Sequence, residues 1–117
     1  MTTPFEEGPR AEARQGRRAA EAARAAGVGH LLYASVASAG RGTGIPHFES
    51  KREIELHLRE LGITHTVIAP VFFMENFVGP GFLRELREGT LAMPLAPGRP
   101  PQMVAGADIA GMVRLAR

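Results

Sequence analysis

Three polar side chains of types that bind hydroxyl groups or transfer protons are candidates for one site. Lys51 is the single lysine among 14 basic residues, and all the others are arginines. His47 lies one helical turn before it, and Ser35 directly follows a short apolar run. Lysine carries a compact ammonium that can reach a sugar hydroxyl, whereas arginine pairs with flat anions. Histidine can act as an acid near neutral pH. The pattern therefore indicates a site that binds hydroxyl groups and moves a proton.

Each of these three residues also has a plain structural interpretation. Lys51 is then a solvated cation in an arginine-biased chain. His47 hydrogen-bonds a backbone group at the start of a helix, and Ser35 satisfies a turn after its strand. The residue types alone leave both interpretations open.

Helices alternate with apolar strands along the first 70 residues. Residues Pro9 to Ala26 are rich in alanine and arginine and predict a helix. A second helix is predicted from His47 to Leu61, which carries one apolar stripe. His30–Ala34 and Thr64–Ala69 are apolar and of strand length. Apolar strands separated by helices predict an α/β fold with a parallel sheet.

The predicted sheet places the candidate residues at one edge. In parallel α/β sheets, ligands bind outside the carboxyl ends of the strands. Ser35 follows the first strand, and the segment 70–73 follows the second. Lys51 borders the buried stripe of its helix, so we expect it to point to the same edge. The two phenylalanines of segment 70–73 form either a wall for a bound ring or part of the core.

Beyond residue 73 the pattern is less regular. A short helix is predicted from Gly81 to Glu88, with strands at Thr90–Met93 and Gln102–Ala105. The last helix is predicted at Ile109–Ala116, with Asp108 as its N-cap. Segment 71–74 is predicted as loop or short helix.

Composition excludes several classes of site. The chain has 117 residues, which suits one domain or part of one, and 44% of them are hydrophobic. It has no cysteine, which excludes disulfides, thiolate metal sites and cysteine nucleophiles. We expect no metal site. The N-terminus lacks a signal peptide and the longest apolar run is too short to span a bilayer, so we expect a cytoplasmic protein with no membrane partner.

A nucleic-acid partner is not expected either. The net charge is only +2. The first helix does carry a broad arginine face, but acidic residues at Glu12 and Glu21 dilute it and no DNA-binding context surrounds it. The arginines concerned are Arg10, Arg14, Arg17, Arg18 and Arg24.

Several segments carry a resemblance to a known family. They are Ser35-Val36-Ala37, the run 45–51, the run Pro70–Phe77 and the late run Val104–Ala110. Together they resemble the NmrA-like family, atypical members of the short-chain dehydrogenase/reductase superfamily, over nearly all of residues 8–117. The resemblance implies a Rossmann-type, doubly wound parallel sheet that binds NADP or NAD. Residues 1–117 would form a partial domain, namely its C-terminal half.

The resemblance also assigns roles to the candidate residues. The superfamily's catalytic set is a serine, a tyrosine and a lysine, where the lysine holds the nicotinamide ribose. Ser35 and Lys51 match this set, but His47 stands at the tyrosine position, and Tyr33 lies within the first strand and cannot substitute. The implied catalytic residues are Lys51, His47 and Ser35, and the implied cofactor-binding residues are Lys51, Ser35, Pro70, Val71, Phe72 and Phe73.

The glycine-rich turn that cradles the cofactor's pyrophosphate is not found where it is needed. Gly27 and Gly29 follow a helix and precede a strand, and the glycines of 40–44 lack the full spacing. By resemblance, the family's first four strands precede Met1, so we expect an incomplete member that does not bind the cofactor well by itself. The strand Leu31–Ala34 would then expose an edge that favours self-association or a protein partner.

The expected function follows from the resemblance. The complete protein would be an NAD(P)H-dependent oxidoreductase that reduces quinone- or azo-type small molecules, for which hydride transfer needs less help from a phenol. The alternative is a non-catalytic redox sensor that binds NAD(P) and a protein partner, which the histidine at the tyrosine position favours. The sequence does not indicate which cofactor is preferred.

Overall fold

The structure is a computed structural model that describes residues 3–116, and these residues form helices and short strands in α/β order. In chain order they are α1 (Pro9–Ala25), β1 (Leu31–Ala34), α2 (Pro46–Leu61), β2 (His65–Ile68), β3 (Phe72–Phe73), α3 (Pro80–Arg87), β4 (Met103–Val104) and α4 (Gly106–Leu115). The chain divides into two compact units, of which the first runs to Pro70 and the second covers Val71–Leu115.

The first unit is a strand-helix-strand arrangement with α1 beside it. Strands β1 and β2 pair in parallel, with Leu31 opposite His65 and Ala34 opposite Ile68. Helix α2 connects them, as a parallel pair requires. The predicted α/β fold with a parallel sheet is therefore confirmed, and both strands lie within one residue of their predicted ends at each terminus.

The core of this unit lies between the two helices and one face of the sheet. Ile54 and Leu58 of α2 are each 1% exposed and pack with Ala20 of α1 and Tyr33 of β1. Gly16 lets α1 approach α2 closely, because a Cβ atom there would lie 2.7 Å from Cγ1 of Ile54. The small residues of α1 thus allow the backbones of the two helices to pack closely against each other.

Backbone conformation ends α2 where the sequence predicts. Gly62 adopts a left-handed conformation, with φ of 66°, and its amide donates a hydrogen bond to the Arg59 carbonyl. Glycine is the residue that takes this conformation at least cost. The helix therefore stops there and the chain turns into β2.

One edge of β1 carries no strand among residues 3–116. The sheet of the first unit has only β1 and β2 in the described part of the chain. The backbone N–H and C=O groups of Leu32 and Ala34 point away from β2, because successive residues of a strand direct these groups to opposite sides. The exposed edge predicted from the sequence is thus present.

The second unit pairs β3 with β4 in parallel, with Phe72 opposite Met103. Its apolar centre is a cluster of the Phe72, Phe77 and Phe82 rings, with centroids 5.5 to 5.9 Å apart and edge-to-face geometry. Aromatic pairs favour this geometry. Segment 72–73 is a strand, so its prediction as loop or short helix is wrong for these two residues.

Two further predictions in the second unit are wrong, and glutamates explain both. Residues 90–93 form no strand, because the amides of Thr90 and Ala92 donate to the backbone and side chain of Glu85. Helix α4 begins at Gly106. The Gly106 amide donates to Oε1 of Glu75 at 2.8 Å, so a distant glutamate caps this helix and Asp108 lies inside its first turn.

No helix within residues 3–116 is long and apolar enough to cross a membrane.

Candidate functional site

Lys51 is buried, and its ammonium meets a carboxylate from the neighbouring helix. The residue is 7% exposed although it carries a charge. Its Nζ lies 2.7 Å from Oε1 of Glu12 on α1. The same atom lies 5.7 Å from the ring centroid of Tyr33, near the carboxyl end of β1, a distance at which an aromatic face attracts a cation. The interpretation of Lys51 as a solvated surface cation is therefore wrong.

Glu12 is the centre of this arrangement. It is 0% exposed. Its Oε2 accepts a hydrogen bond from the Ser50 hydroxyl at 2.6 Å, while Oε1 faces Lys51. A buried carboxylate is costly unless it is paired and hydrogen-bonded, and both of its oxygens are engaged here. We refer to Glu12, Ser50 and Lys51 as the Lys51 network.

Sequence reasoning missed Glu12, which it treated as a charge that dilutes the arginine face. A signal was present, because Glu12, Gly16 and Ala20 recur every four residues and all three are buried. An acidic residue in line with small, buried positions of a helix indicates a buried carboxylate that needs a cation. The one lysine of the chain supplies that cation.

Ser35 is 6% exposed, and its hydroxyl donates a short hydrogen bond to Oε1 of Glu55. Glu55 lies on α2, one turn after Lys51. The Ser35 amide donates to the carbonyl of Ile68 at 2.8 Å, which continues the sheet ladder beyond β1. The serine is therefore fixed at the carboxyl end of the sheet, and its hydroxyl proton is directed to a carboxylate.

His47 lies four residues before Lys51 but in a different environment. It is exposed, and its ring packs edge-on against Phe48 with centroids 4.4 Å apart. Its carbonyl oxygen lies 3.2 Å from the Ser50 hydroxyl oxygen and is the more distant of two acceptors for the single hydroxyl proton, the nearer being Glu12. The backbone of His47 thus joins the Lys51 network, whereas its ring remains on the surface.

The segment after β2 divides between the two units. The Pro70 carbonyl accepts a hydrogen bond from the Ala37 amide at 3.0 Å, so Pro70 lies beside the loop that follows Ser35. Val71, Phe72 and Phe73 belong to the second unit and are each half-buried. Phe72 packs in the aromatic cluster of that unit.

Two polar side chains of the first unit, Lys51 and Ser35, lie near the carboxyl end of its parallel strands. An ammonium and a hydroxyl at the end of a parallel sheet have the hydrogen-bonding chemistry that sugar hydroxyls need. A pyrophosphate needs open backbone amides at a helix start. Before α2, however, the Gly44 amide donates to Oε1 of Glu49 at 3.1 Å. The chain's own carboxylate thus occupies this amide.

Comparison with known proteins agrees with this architecture. The sequence model of the NmrA-like family matches residues 1–116. No match was found among curated proteins. A crystal structure of the Citrobacter sp. triphenylmethane reductase complexed with NADP(H) superposes with a TM-score of 0.63 and 24% sequence identity.

The superposition covers 77% of this chain and 31% of the triphenylmethane reductase chain. The chain therefore spans about a third of the length of that structure, and its fold corresponds to part of a Rossmann-like fold. With the family match over almost every residue, the chain belongs to the NmrA-like family.

Proposed function

We propose that this chain contributes the nicotinamide-ribose contact of an NAD(P)-binding NmrA-like domain, with Lys51 as the residue that donates to the ribose hydroxyls. The observation that carries the proposal is the position of Nζ, which is buried and held beside Tyr33 near the carboxyl end of β1. In a parallel sheet that end is where ligands bind. Ser35 and Pro70 lie at the same end and would complete this side of the site.

The site would contact the ribose of the cofactor and not its phosphates. When bound, the cofactor would supply the hydride. The described residues would orient the nicotinamide ribose through Lys51 and Ser35. The loop before α2 uses its Gly44 amide internally, so this amide would not be available to a phosphate.

The ligand for a test is therefore reduced nicotinamide mononucleotide, and nicotinamide, which carries no ribose, is its control. We expect the full chain to bind the nicotinamide half weakly, with a Kd of about 1 mM, which corresponds to roughly −4 kcal/mol. Saturation-transfer NMR should show the strongest signals on the ribose protons. Nicotinamide alone should show no comparable saturation transfer.

Lys51→Met should abolish the ribose signals, whereas Arg59→Met should leave them unchanged. Arg59 is a matched control because it is an exposed cation on the same helix. Circular dichroism must show that each variant is folded. If Lys51→Met does not fold, the double variant Glu12→Leu/Lys51→Met replaces it, since that pair leaves no buried charge. Equal ribose signals in the wild-type chain and in a folded lysine-free variant would contradict the proposal.

For the complete protein we propose reduction of quinone- or azo-type substrates. The support is the histidine at the acid-base position, because such acceptors take a hydride with less help from an acid. NADPH consumption across a panel of quinones and azo dyes tests it.

The exposed ring of His47 favours a second candidate, a redox-sensing regulator that binds NAD(P) without turnover. Cofactor binding with no NADPH consumption on any member of the same panel would favour the regulator over the reductase.

A further inference from the structure

The charge of Lys51 is balanced inside the protein before any ligand arrives. Glu12 and Lys51 are both buried, and the carboxylate oxygen lies 2.7 Å from Nζ. An ammonium neutralised in this way remains a hydrogen-bond donor, but it offers little net positive charge to an anion. Nζ therefore has the character of a neutral donor, which suits hydroxyl groups better than phosphate groups.

The carboxylate of Glu12 is itself held from three directions. It lies in the first turn of α1, where the unsatisfied amides of a helix start favour negative charge. The Ser50 hydroxyl donates to its second oxygen, and that hydroxyl is also within reach of the His47 carbonyl. Close packing of Gly16 on Ile54 limits movement of α1 against α2. The position of the Glu12 carboxylate is thus fixed.

Lysine has a flexible four-carbon side chain, so its ammonium takes one position only when a fixed partner holds it. A fixed carboxylate on one side and the Tyr33 ring on another determine where Nζ lies. Without the carboxylate, the stem is long enough to turn the ammonium toward solvent. The position of Nζ therefore depends on a residue that lies 39 positions earlier in the chain (51 − 12).

We propose that Glu12 is a positioning and specificity-determining residue. It holds Nζ of Lys51 near the carboxyl end of β1, and it cancels the ammonium's charge so that the site selects neutral sugar hydroxyls over free anions. The selection of ligand rests on the function proposed above, whereas the holding of Nζ does not. The two parts can therefore be tested separately.

The first test measures the NMR signal of the Lys51 ammonium and uses no ligand. Because the chain has one lysine, ¹⁵N-lysine labelling gives a single Nζ signal. In the wild-type protein we expect an Nζ–H cross-peak that survives at neutral pH, because a buried, hydrogen-bonded ammonium exchanges its protons slowly with water. Glu12→Gln keeps the side-chain shape and removes the charge, and it should abolish this cross-peak.

Glu53→Gln is the matched control for this measurement. Glu53 also lies on the α1–α2 surface and pairs with Arg17 at 3.3 Å, but both side chains are about half exposed. Its substitution should leave the Nζ cross-peak in place. If Glu12→Gln does not fold, the Nζ cross-peak is measured in Ser50→Ala instead. The cross-peak should weaken there, because the Glu12 carboxylate loses the hydrogen bond from the Ser50 hydroxyl. An unchanged cross-peak in folded Glu12→Gln, or in Ser50→Ala where that variant is read, would overturn the proposal.

The second test reads ligand selection in the same variants. The two probes are dihydronicotinamide riboside, which has the ribose hydroxyls without a phosphate, and inorganic phosphate. The wild-type chain should prefer the riboside. Glu12→Gln should lose riboside binding and gain a phosphate-dependent shift of the Lys51 Hε–Cε signal in ¹³C-lysine-labelled protein, a signal that does not depend on slow ammonium exchange. Loss of a merely structural contact would not produce this shift.

The outcomes separate the two proposals. If the cross-peak disappears in Glu12→Gln but the wild-type chain binds no riboside, the proposed function fails and the positioning role of Glu12 stands. If the wild-type chain binds riboside and Glu12→Gln binds it equally well without gaining phosphate, the selection role of Glu12 fails and the proposed function stands.

Discussion

Removal of either partner of the Glu12–Lys51 pair should be far more damaging than removal of an exposed pair between the same two helices. The side chains of Lys51 and Glu12 are 9% and 0% exposed. Those of Arg17 and Glu53, which also connect α1 and α2, are 48% and 52% exposed. The two pairs therefore differ mainly in their access to water.

Burial sets the expected magnitudes. Lys51→Met leaves a carboxylate in the core without its ammonium, and breaking a buried pair in this way costs roughly 3–5 kcal/mol. Arg17→Met affects an exposed pair, which contributes about 0–1 kcal/mol. Since a domain of this size unfolds with only about 5–15 kcal/mol, Lys51→Met should remove a large part of the stability of the chain.

Replacement of both partners should restore most of that loss. In Glu12→Leu/Lys51→Met no charge remains in the core, and such apolar replacements are neutral or stabilising by about 1–4 kcal/mol. The double variant should therefore be much more stable than the sum of the two single losses predicts. Part of the benefit will be lost because Ser50 loses its acceptor on Glu12.

The assay is urea unfolding followed by circular dichroism, with the coupling free energy taken from the four-variant cycle. Measurements at low salt and at about 1 M salt, where the Debye length is about 3 Å, add a second criterion. The Arg17–Glu53 coupling should disappear at high salt and the Glu12–Lys51 coupling should persist. Similar small losses for Lys51→Met and Arg17→Met, or a double variant as unstable as the summed singles, would refute the reasoning.

Two more predictions test the packing of each unit. Gly16→Ala places a Cβ atom against Ile54 and should cost about 1–3 kcal/mol by overpacking, partly offset by the better helix propensity of alanine, about 1 kcal/mol. Melting curves should show that Ile54→Val, harmful by itself, is better tolerated together with Gly16→Ala; strictly additive losses would contradict the close contact. Glu75→Ala removes the acceptor of the Gly106 amide and should destabilise the start of α4 by about 0.5–2 kcal/mol. Amide hydrogen exchange at Gly106 should accelerate in Glu75→Ala and much less in Glu75→Gln, which keeps an oxygen acceptor; equal rates in all three proteins would argue against the cap.

Local sequence pattern was sufficient for the regular elements of the first unit. Alanine and arginine content indicated α1, the stripe of Ile54, Leu58 and Leu61 indicated α2, and Gly62 indicated its end. Apolar, β-branched runs indicated both strands. These features depend on backbone preference and side-chain period, which are properties of neighbouring residues.

The second unit was harder to predict because its polar contacts join distant residues. Glu85 draws the amides of Thr90 and Ala92 away from a strand. Glu75 reaches 31 residues along the chain to cap α4. Neither contact leaves a periodic signal in the sequence, so a propensity-based prediction assigns these segments wrongly.

The sequence by itself determined that the chain has an α/β fold, that it resembles the NmrA-like family, and that Ser35 and Lys51 are the residues to examine. Only the tertiary structure decided what these residues contact. Lys51 meets Glu12 and Ser35 meets Glu55, because helix packing brings together side chains that lie 39 (51 − 12) and 20 (55 − 35) positions apart. A buried charge needs a partner wherever in the chain that partner lies, and the choice of partner is made by the packing of α1 and β1 against α2.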